Sequence, residues 1–427
     1  MTKTRVLTGI TTTGTPHLGN YLGAIKPAVL ASKDRNLSSF FFLADYHALI
    51  KCHDPARVAQ STREIAATWL ALGMDADNAT FYRQSDIPEI TELTWVLTCV
   101  TSKGLMNRAH AYKAAVDDNR NSHKNDLDDG ITMGLFSYPV LMAADILMFN
   151  GEQIPVGKDQ IQHIEMARDI AGRFNHTYAN LFTLPEAMVD NNPLTISGLD
   201  GRKMSKSYDN TIPLFCSEDQ LRKLINQIHT DLREPGEPKD PDSSTLFELY
   251  ELFASQAETE AFRLKFYEGI AWGDAKQELF ETLNSYLSEP RQRYLELMND
   301  LSSVELILQR GAEKAREYSV PLLQQVRQAV GLQSLSSSIV VQDSGAQKKK
   351  EKSEEQIARA EEGRRRGILM QLKSVLDDVA NAEDPAAVAL QIIEERQTQV
   401  ESLKKKAKQK AQNELEILKQ EFAQYLG

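Results

Sequence analysis

Two rhythms of apolar positions divide the chain. Near the start, Arg5-Val-Leu-Thr-Gly-Ile10 is a short apolar run. A Thr/Gly/Pro-rich turn over 11–16 follows it, and apolar residues then recur at helical spacing from Leu18 to about Leu30, which predicts strand, loop and helix in that order. Ser38–Ala44 reads as a second buried strand, 56–73 as a helix and Ala79–Tyr82 as a third strand. Strands alternating with helices predict a doubly wound, Rossmann-like α/β domain with a parallel sheet over 1–212, carrying an inserted helical segment at about 101–150. In such sheets ligands sit outside the carboxyl ends of the strands.

From Pro213 the strand signals fade. Helical patterns over Leu246–Ala254, Ala275–Leu287 and Pro290–Leu301 predict a separate all-helical domain over 213–332. The composition of 333–353 is that of a polar linker. Beyond it, 354–427 reads as a C-terminal extension, a helical hairpin or coiled coil. Its first helix, near Glu354–Val379, places Ile368, Leu372, Val375 and Val379 on one face. Its second begins at Asp384-Pro385, a cap residue followed by proline at the first helical position.

Composition narrows the class. With 427 residues, 41% hydrophobic and 26% charged, the chain is of ordinary globular make-up, and no apolar run approaches the ~20 residues of a membrane span. Met1-Thr-Lys-Thr-Arg5 runs directly into Val6-Leu7 without a secretory pattern, so a cytoplasmic protein with no membrane partner is expected. Cys52, Cys99 and Cys216 are too scattered for a disulfide framework or a zinc site and read as isolated buried thiols. Residues 331–427 hold 16 basic and 16 acidic side chains, so the net charge of −11 belongs entirely to the first 330 residues. Any phosphate-binding surface there must be a local patch.

Two segments carry candidate chemistry. Gly14 and Pro16-His17-Leu18-Gly19-Asn20 form a glycine-bearing turn before a helix, where backbone N–H groups and the helix dipole can meet an anion. Taken alone, it also fits an ordinary strand-to-helix turn, with His17 as a cap. Lys203-Met204-Ser205-Lys206-Ser207, led in by Gly198-Leu-Asp-Gly201, sets two lysines beside hydroxyl donors and can neutralise a triphosphate. A solvated basic loop is its plainer alternative. Both segments in this order on one α/β chain favour a nucleotide site.

With these motifs the chain resembles the bacterial tryptophanyl-tRNA synthetases, class I aminoacyl-tRNA synthetases, over about residues 5–332. The turn corresponds to the family's HIGH element, and 203–207 is its KMSKS loop unaltered. Pro155-Val-Gly157-Lys158-Asp159-Gln160 resembles its GxDQ stretch. The resemblance implies ATP contacts from Thr11, Thr12, Thr13, Gly19, Asn20, Gly157, Lys158, Asp159, Thr195 and Lys203 through Ser207, with Lys203, Lys206, Ser205, Ser207 and His17 as the catalytic set. The family commonly has glutamate at the position of Lys158, glutamine at Thr11 and threonine at His17. A second lysine-bearing loop of the family falls near Lys113.

Tyr138, Met142 and Asp145 are spaced four and three apart, so one helical face can line one pocket; a core helix with a stray acid has the same spacing. Related tyrosine enzymes usually have glutamine at the position of Met142. A thioether suits an indole, and Asp145 would accept from its N–H. Gln160, His47 and Gly9 complete the tryptophan contacts that the resemblance implies. It further implies adenylation of tryptophan by ATP with Mg²⁺, transfer to tRNA, recognition of the anticodon by 213–332, and a homodimer with tRNA spanning both subunits. Three scattered cysteines exclude the four-cysteine iron–sulfur cluster of some members. A small-molecule adenylyltransferase and a non-charging paralogue are the competing readings.

Overall fold

The structure, a computed structural model, describes residues 3–189, 196–334, 362, 365–402 and 405–426. The chain divides into two compact units, Met1–Ser334 and Leu335–Gly427.

In the first unit, β1 (Thr4–Thr11), β2 (Leu37–Ala44), β3 (Thr80–Arg83), β4 (Gln153–Val156) and β5 (Glu186–Val189) form one sheet in the order β3-β2-β1-β4-β5. Every neighbouring pair is parallel, with Thr4 opposite Leu37 and Thr11 opposite Ala44. β2 is an almost unbroken apolar run because both faces of the sheet are covered. Phe41 and Leu43 enter one core cluster, while Phe40, Phe42 and Ala44 enter another. Strand order reverses at β1, so its carboxyl end is where a ligand crevice belongs.

Three helices carry or flank that crevice: α1 (Pro55–Ala71), α2 (Met133–Leu147) and α3 (Ile161–Thr177). The single helix expected over 18–30 is instead a short turn at Leu18–Asn20, a π-turn at Tyr21–Ile25 and a helix at Lys26–Ser32. Pro27 has no N–H to return to Gly23, and a wider turn absorbs the missing bond. The segment near Lys113 is a helix, His110–Asn121, with Lys113 exposed on it.

The helical part after Pro213 does not have a core of its own. Leu246, Leu279 and Leu308 share a cluster with Phe41 and Trp69, and the whole of Met1–Ser334 is one compact unit. Its long helices are α4 (Trp272–Asn299) and α5 (Leu301–Ala329). α4 runs through Pro290, where the sequence pattern places a break. The real break comes at Asp300, whose carboxylate caps α5 by accepting from the Ser303 N–H at 3.2 Å.

α5 covers β3, the edge strand on this side of the sheet. Val304 and Leu308 enter one core cluster, and Ala312, Ala315, Leu322, Leu323 and Val326 enter the other. Gly311 lies between these two sets. A Cβ there would stand 1.6 Å from the Phe81 carbonyl oxygen, so only glycine permits this approach of helix to strand.

The second unit contains α6 (Lys373–Ala380), α7 (Pro385–Ser402) and α8 (Lys405–Leu426). Leu372 and Val379 are buried with Ala389, Ile393, Val400, Leu415, Leu418 and Phe422, and Ile368 and Val375 pack against them. The expected pair of helices is therefore a cluster of at least three. Folding the chain back after Ser402 lets α8 bury its own apolar stripe against α7. Of the linker expected at 333–353, residues 335–353 lie outside the described residues, as do 354–361 at the start of the expected first tail helix.

Candidate active site

The glycine-bearing turn leaves the carboxyl end of β1. His17 caps the first helical turn: its Nδ1 accepts from the Asn20 N–H at 3.3 Å, while the Asn20 Oδ1 accepts from the His17 N–H at 3.2 Å. Capping through Nδ1 leaves the ring proton on Nε2. Burial, aided by the Lys206 charge, pulls the His17 pKa down to about 4, so the ring is neutral near pH 7. Thr12 is fully buried, and its hydroxyl lacks a partner among the described residues.

Backbone bonds join this turn to the segment that follows the basic loop. The Leu18 N–H donates to the Ile212 carbonyl and the Leu214 N–H to that of Pro16, both at 3.0 Å. Asn210, which the sequence reading did not single out, pins the loop from below. Its Oδ1 accepts from the Ser205 N–H at 2.8 Å, and its Nδ2 donates to Asp200 Oδ1 at 2.6 Å and to the Lys203 carbonyl at 3.2 Å. The Asn210 and Arg202 contacts hold the Asp200 carboxyl down at about 2. Met204 is buried beneath the loop, whereas Lys203, Lys206 and Ser207 remain exposed.

The Lys206 ammonium reaches back over Gly14, where a Cβ would meet Nζ at 2.5 Å and Arg57 at 3.2 Å. Although the residue as a whole is exposed, partial desolvation of its ammonium and the neighbouring Arg57 lower the Lys206 pKa, with Glu64 acting in the opposite sense. Two cations held together beside a backbone turn form a setting for a polyanion. Arg57 is a second residue that the sequence reading missed.

The other expected residues gather at the ends of the neighbouring strands. His47 follows β2, Gln84 follows β3, and Gly157–Gln160 follow β4. Asp145, on α2, is 1% exposed. Its Oδ2 meets His47 Nε2 at 2.8 Å, and its Oδ1 accepts from Gln84 Nε2 at 2.7 Å. Burial raises the Asp145 pKa, and the His47 and Gln84 contacts oppose that rise. Tyr138, about two turns earlier on α2, sets its ring across that of His47 with centroids 6.3 Å apart, and Met142 packs half-buried against the core cluster that holds Val140, Ala143 and Ala144. Tyr138 and Gln160 are linked through His163, and the Gln160 amide nitrogen donates on to Asp159. The structure thus brings Tyr138, Asp145, His47 and Gln160 together. Beyond Gly9, the space that a side chain would fill is taken by the Phe42 ring. Thr195 lies outside the described residues.

The expected thiols divide: Cys216 is buried, Cys52 is partly buried and Cys99 is exposed. A cleft of about 1130 Å³ lies between α1 and the start of α5, lined by Asp45, Arg63, Arg83, Ser85 and Glu305 among others. Neither of the paired loops lines it. No described helix is long and apolar enough to cross a membrane.

A doubly wound sheet with a capped glycine turn, a pinned Lys-x-x-Lys loop and a buried carboxylate nearby defines a nucleotide-dependent activating enzyme of the class I kind. A family model described as tRNA synthetases class I (W and Y) matches residues 1–288. The tryptophan–tRNA ligase of Pseudomonas aeruginosa is 62% identical over 348 residues, 81% of this chain and 78% of that protein. That of Neisseria meningitidis is 59% identical over 335 residues, 78% of this chain and 100% of that protein. The crystal structure of tryptophanyl-tRNA synthetase from Campylobacter jejuni complexed with ADP and tryptophan superposes with a TM-score of 0.71 at 41% identity, over 77% of this chain and 99% of that one. The chain belongs to the class I tRNA synthetases of the tryptophan and tyrosine group and, within it, to the tryptophan–tRNA ligases.

Proposed function

We propose that this ligase holds L-tryptophan among His47, Gln84, Met142, Tyr138, Asp145 and Gln160, and ATP on the turn 11–20 and the loop 203–207. The observation that carries the reading is the enclosed Asp145 carboxylate, fixed from two sides by His47 and Gln84. A carboxylate has about four acceptor sites, so capacity remains for an indole N–H. Leaving that acceptor unpaired penalises phenylalanine.

In the first step a tryptophan carboxylate oxygen attacks the α-phosphorus of ATP. The bond from that phosphorus to the bridging oxygen breaks, and pyrophosphate leaves. In the second, a hydroxyl at the tRNA 3′ end attacks the acyl carbon and AMP leaves. Neither step needs a protein nucleophile; positioning and charge stabilisation suffice. Lys203 and Lys206 neutralise the leaving pyrophosphate, the Ser205 and Ser207 hydroxyls and the His17 Nε2–H donate to phosphate oxygens, and Thr11–Thr13, Gly19, Asn20, Gly157, Lys158 and Asp159 shape the rest of the nucleotide site. Magnesium belongs to the MgATP substrate. The groups around the triphosphate position are cations and hydroxyls, and among the described residues no three His, Cys, Asp or Glu side chains converge to hold a metal. The helical region 213–332 is assigned to the tRNA anticodon, the working form is a homodimer, and the location is the cytoplasm.

The decisive measurement is tryptophan-dependent exchange of pyrophosphate into ATP, with tyrosine and phenylalanine as controls, followed by acylation of tRNA. Absence of exchange with tryptophan overturns the reading. Exchange without acylation favours a chain that activates but does not charge.

A further inference from the structure

His163 lies in the first turn of α3 and is 4% exposed. Both of its ring nitrogens are engaged, Nδ1 with Gln160 Oε1 and Nε2 with the Tyr138 hydroxyl, each at 2.8 Å. The Gln160 amide nitrogen donates in turn to Asp159 Oδ2 at 2.8 Å.

The direction of these bonds follows from the terminal carboxylate. Asp159 can only accept, which sets the Gln160 amide with its nitrogen toward Asp159 and its oxygen toward His163. An amide oxygen can only accept as well, so the imidazole proton resides on Nδ1. Nε2 is then bare and takes the Tyr138 hydrogen. This pattern requires a neutral ring. Burial lowers the His163 pKa, with the nearby His110 and His47 acting in the same sense and Asp159 against them. Donation runs one way, from Tyr138 through His163 and Gln160 to Asp159.

A free phenol can donate or accept, but this one has its hydrogen committed away from the pocket. Its remaining lone pairs, and the second lone pair of the Gln160 carbonyl, are acceptors. The bound amino acid has two donor-only groups, and with its indole N–H assigned to Asp145 the α-ammonium is the one left to meet these acceptors.

We propose that His163 is a positioning residue for the tryptophan α-ammonium group, acting by fixing Tyr138 and Gln160 as a pair of acceptors. The inference rests on the assignment of Tyr138 and Gln160 to the tryptophan site. His163→Phe removes both nitrogens while keeping a planar ring. In the exchange assay its KM for tryptophan should rise roughly 10-fold or more, the loss expected for weakened hydrogen bonds to a charged group, while the KM for ATP stays near the parent value. The inhibition constant of indole-3-propionate, which keeps the indole and carboxylate but has no ammonium, should not change.

Equal weakening of tryptophan and indole-3-propionate would make His163 merely structural and overturn the proposal. Thermal melting reports whether the variant folds. If it does not, His163→Asn, which retains an N–H toward Gln160, carries the same comparison with a smaller expected rise, and parallel loss of both ligands overturns the proposal there too. Failure of the tryptophan reading itself appears differently, as no tryptophan-dependent exchange in the unsubstituted chain.

Discussion

Gly311→Ala sets two effects of opposite sign against each other. In an unencumbered helix the change favours folding by about 0.5–1 kcal/mol, because glycine is the poorer helix former. At this crossing the new Cβ would lie 1.6 Å from the Phe81 carbonyl oxygen and 2.5 Å from its carbon. A carbon normally approaches a carbonyl oxygen no closer than about 3.3 Å, so α5 must withdraw by roughly 1.7 Å or β3 must yield. Withdrawal disturbs the contacts strung along α5: Arg83 with Glu305 at 2.6 Å, Lys314 with the Ala76 and Asp77 carbonyls at 3.0 and 2.9 Å, and Arg316 with Glu89 at 2.7 Å. Overpacking of this kind costs about 1–3 kcal/mol and outweighs the propensity gain. The net loss should appear as a melting temperature lower by a few degrees and a lower urea midpoint with unchanged slope. Because Gln84 directly follows β3 and holds Asp145, the KM for tryptophan should rise more than that for ATP. A variant as stable as the parent, or more so, would refute the argument from close approach.

Lys206→Ala should slow tryptophan activation by on the order of 10²–10³ in kcat, with little change in tryptophan KM, because its contacts strengthen as pyrophosphate leaves; single-turnover formation of the adenylate checks this. Asp145→Ala should reduce the kcat/KM preference for tryptophan over phenylalanine by roughly 10²-fold or more, and unchanged discrimination would remove Asp145 from the pocket. His17 titrates at about 4 in the folded chain against 6.5 when unperturbed, so its contribution to stability is complete above pH 6.5 and is lost as pH falls toward 4. His17→Asn keeps a capping acceptor but cannot titrate, and its melting temperature should fall less than the parent's across that window. Deleting 335–427 should leave pyrophosphate exchange intact, since 335 residues of this chain match the whole length of the Neisseria meningitidis relative and the site residues lie within Met1–Ser334. If the tail contacts tRNA phosphates, the same deletion lowers the salt dependence of tRNA binding.

What the sequence disclosed depended on whether a signal was local. β2 announces itself through three consecutive phenylalanines, and the Asp145 helix through spacings of four and three. The two basic and glycine-bearing loops were readable because their chemistry is contained within five contiguous residues. Gln84, Asn210 and Arg57 lack such a frame. Each is a polar residue whose meaning comes from a partner brought near by folding: Asp145 for Gln84, the strands of its own loop for Asn210, and Gly14 with Lys206 for Arg57. Pro290 misled in the opposite direction. A proline usually marks a helix boundary, but α4 continues through it because Leu279, Leu283 and Leu287 before it and Arg291 after it are buried along the helix. Likewise, a helical pattern after Pro213 cannot reveal that its apolar face is completed by the sheet rather than by itself.

The ties between 16–18 and 212–214 also make the basic loop a place where turnover can be watched. Its base is stitched by the Met204 N–H to the Ile196 carbonyl at 2.8 Å on one side and by Asn210 on the other, which leaves the tip with the fewest ties to the rest of the fold. Tyr208 stands on that tip, 50% exposed, with the Arg202 guanidinium 4.3 Å from its ring centre. A fluorophore in its place would register opening and closing of the tip alone, since the anchors on both sides hold the background still. The loop thereby provides an optical clock for the nucleotide cycle, separate from any signal arising in the amino-acid pocket.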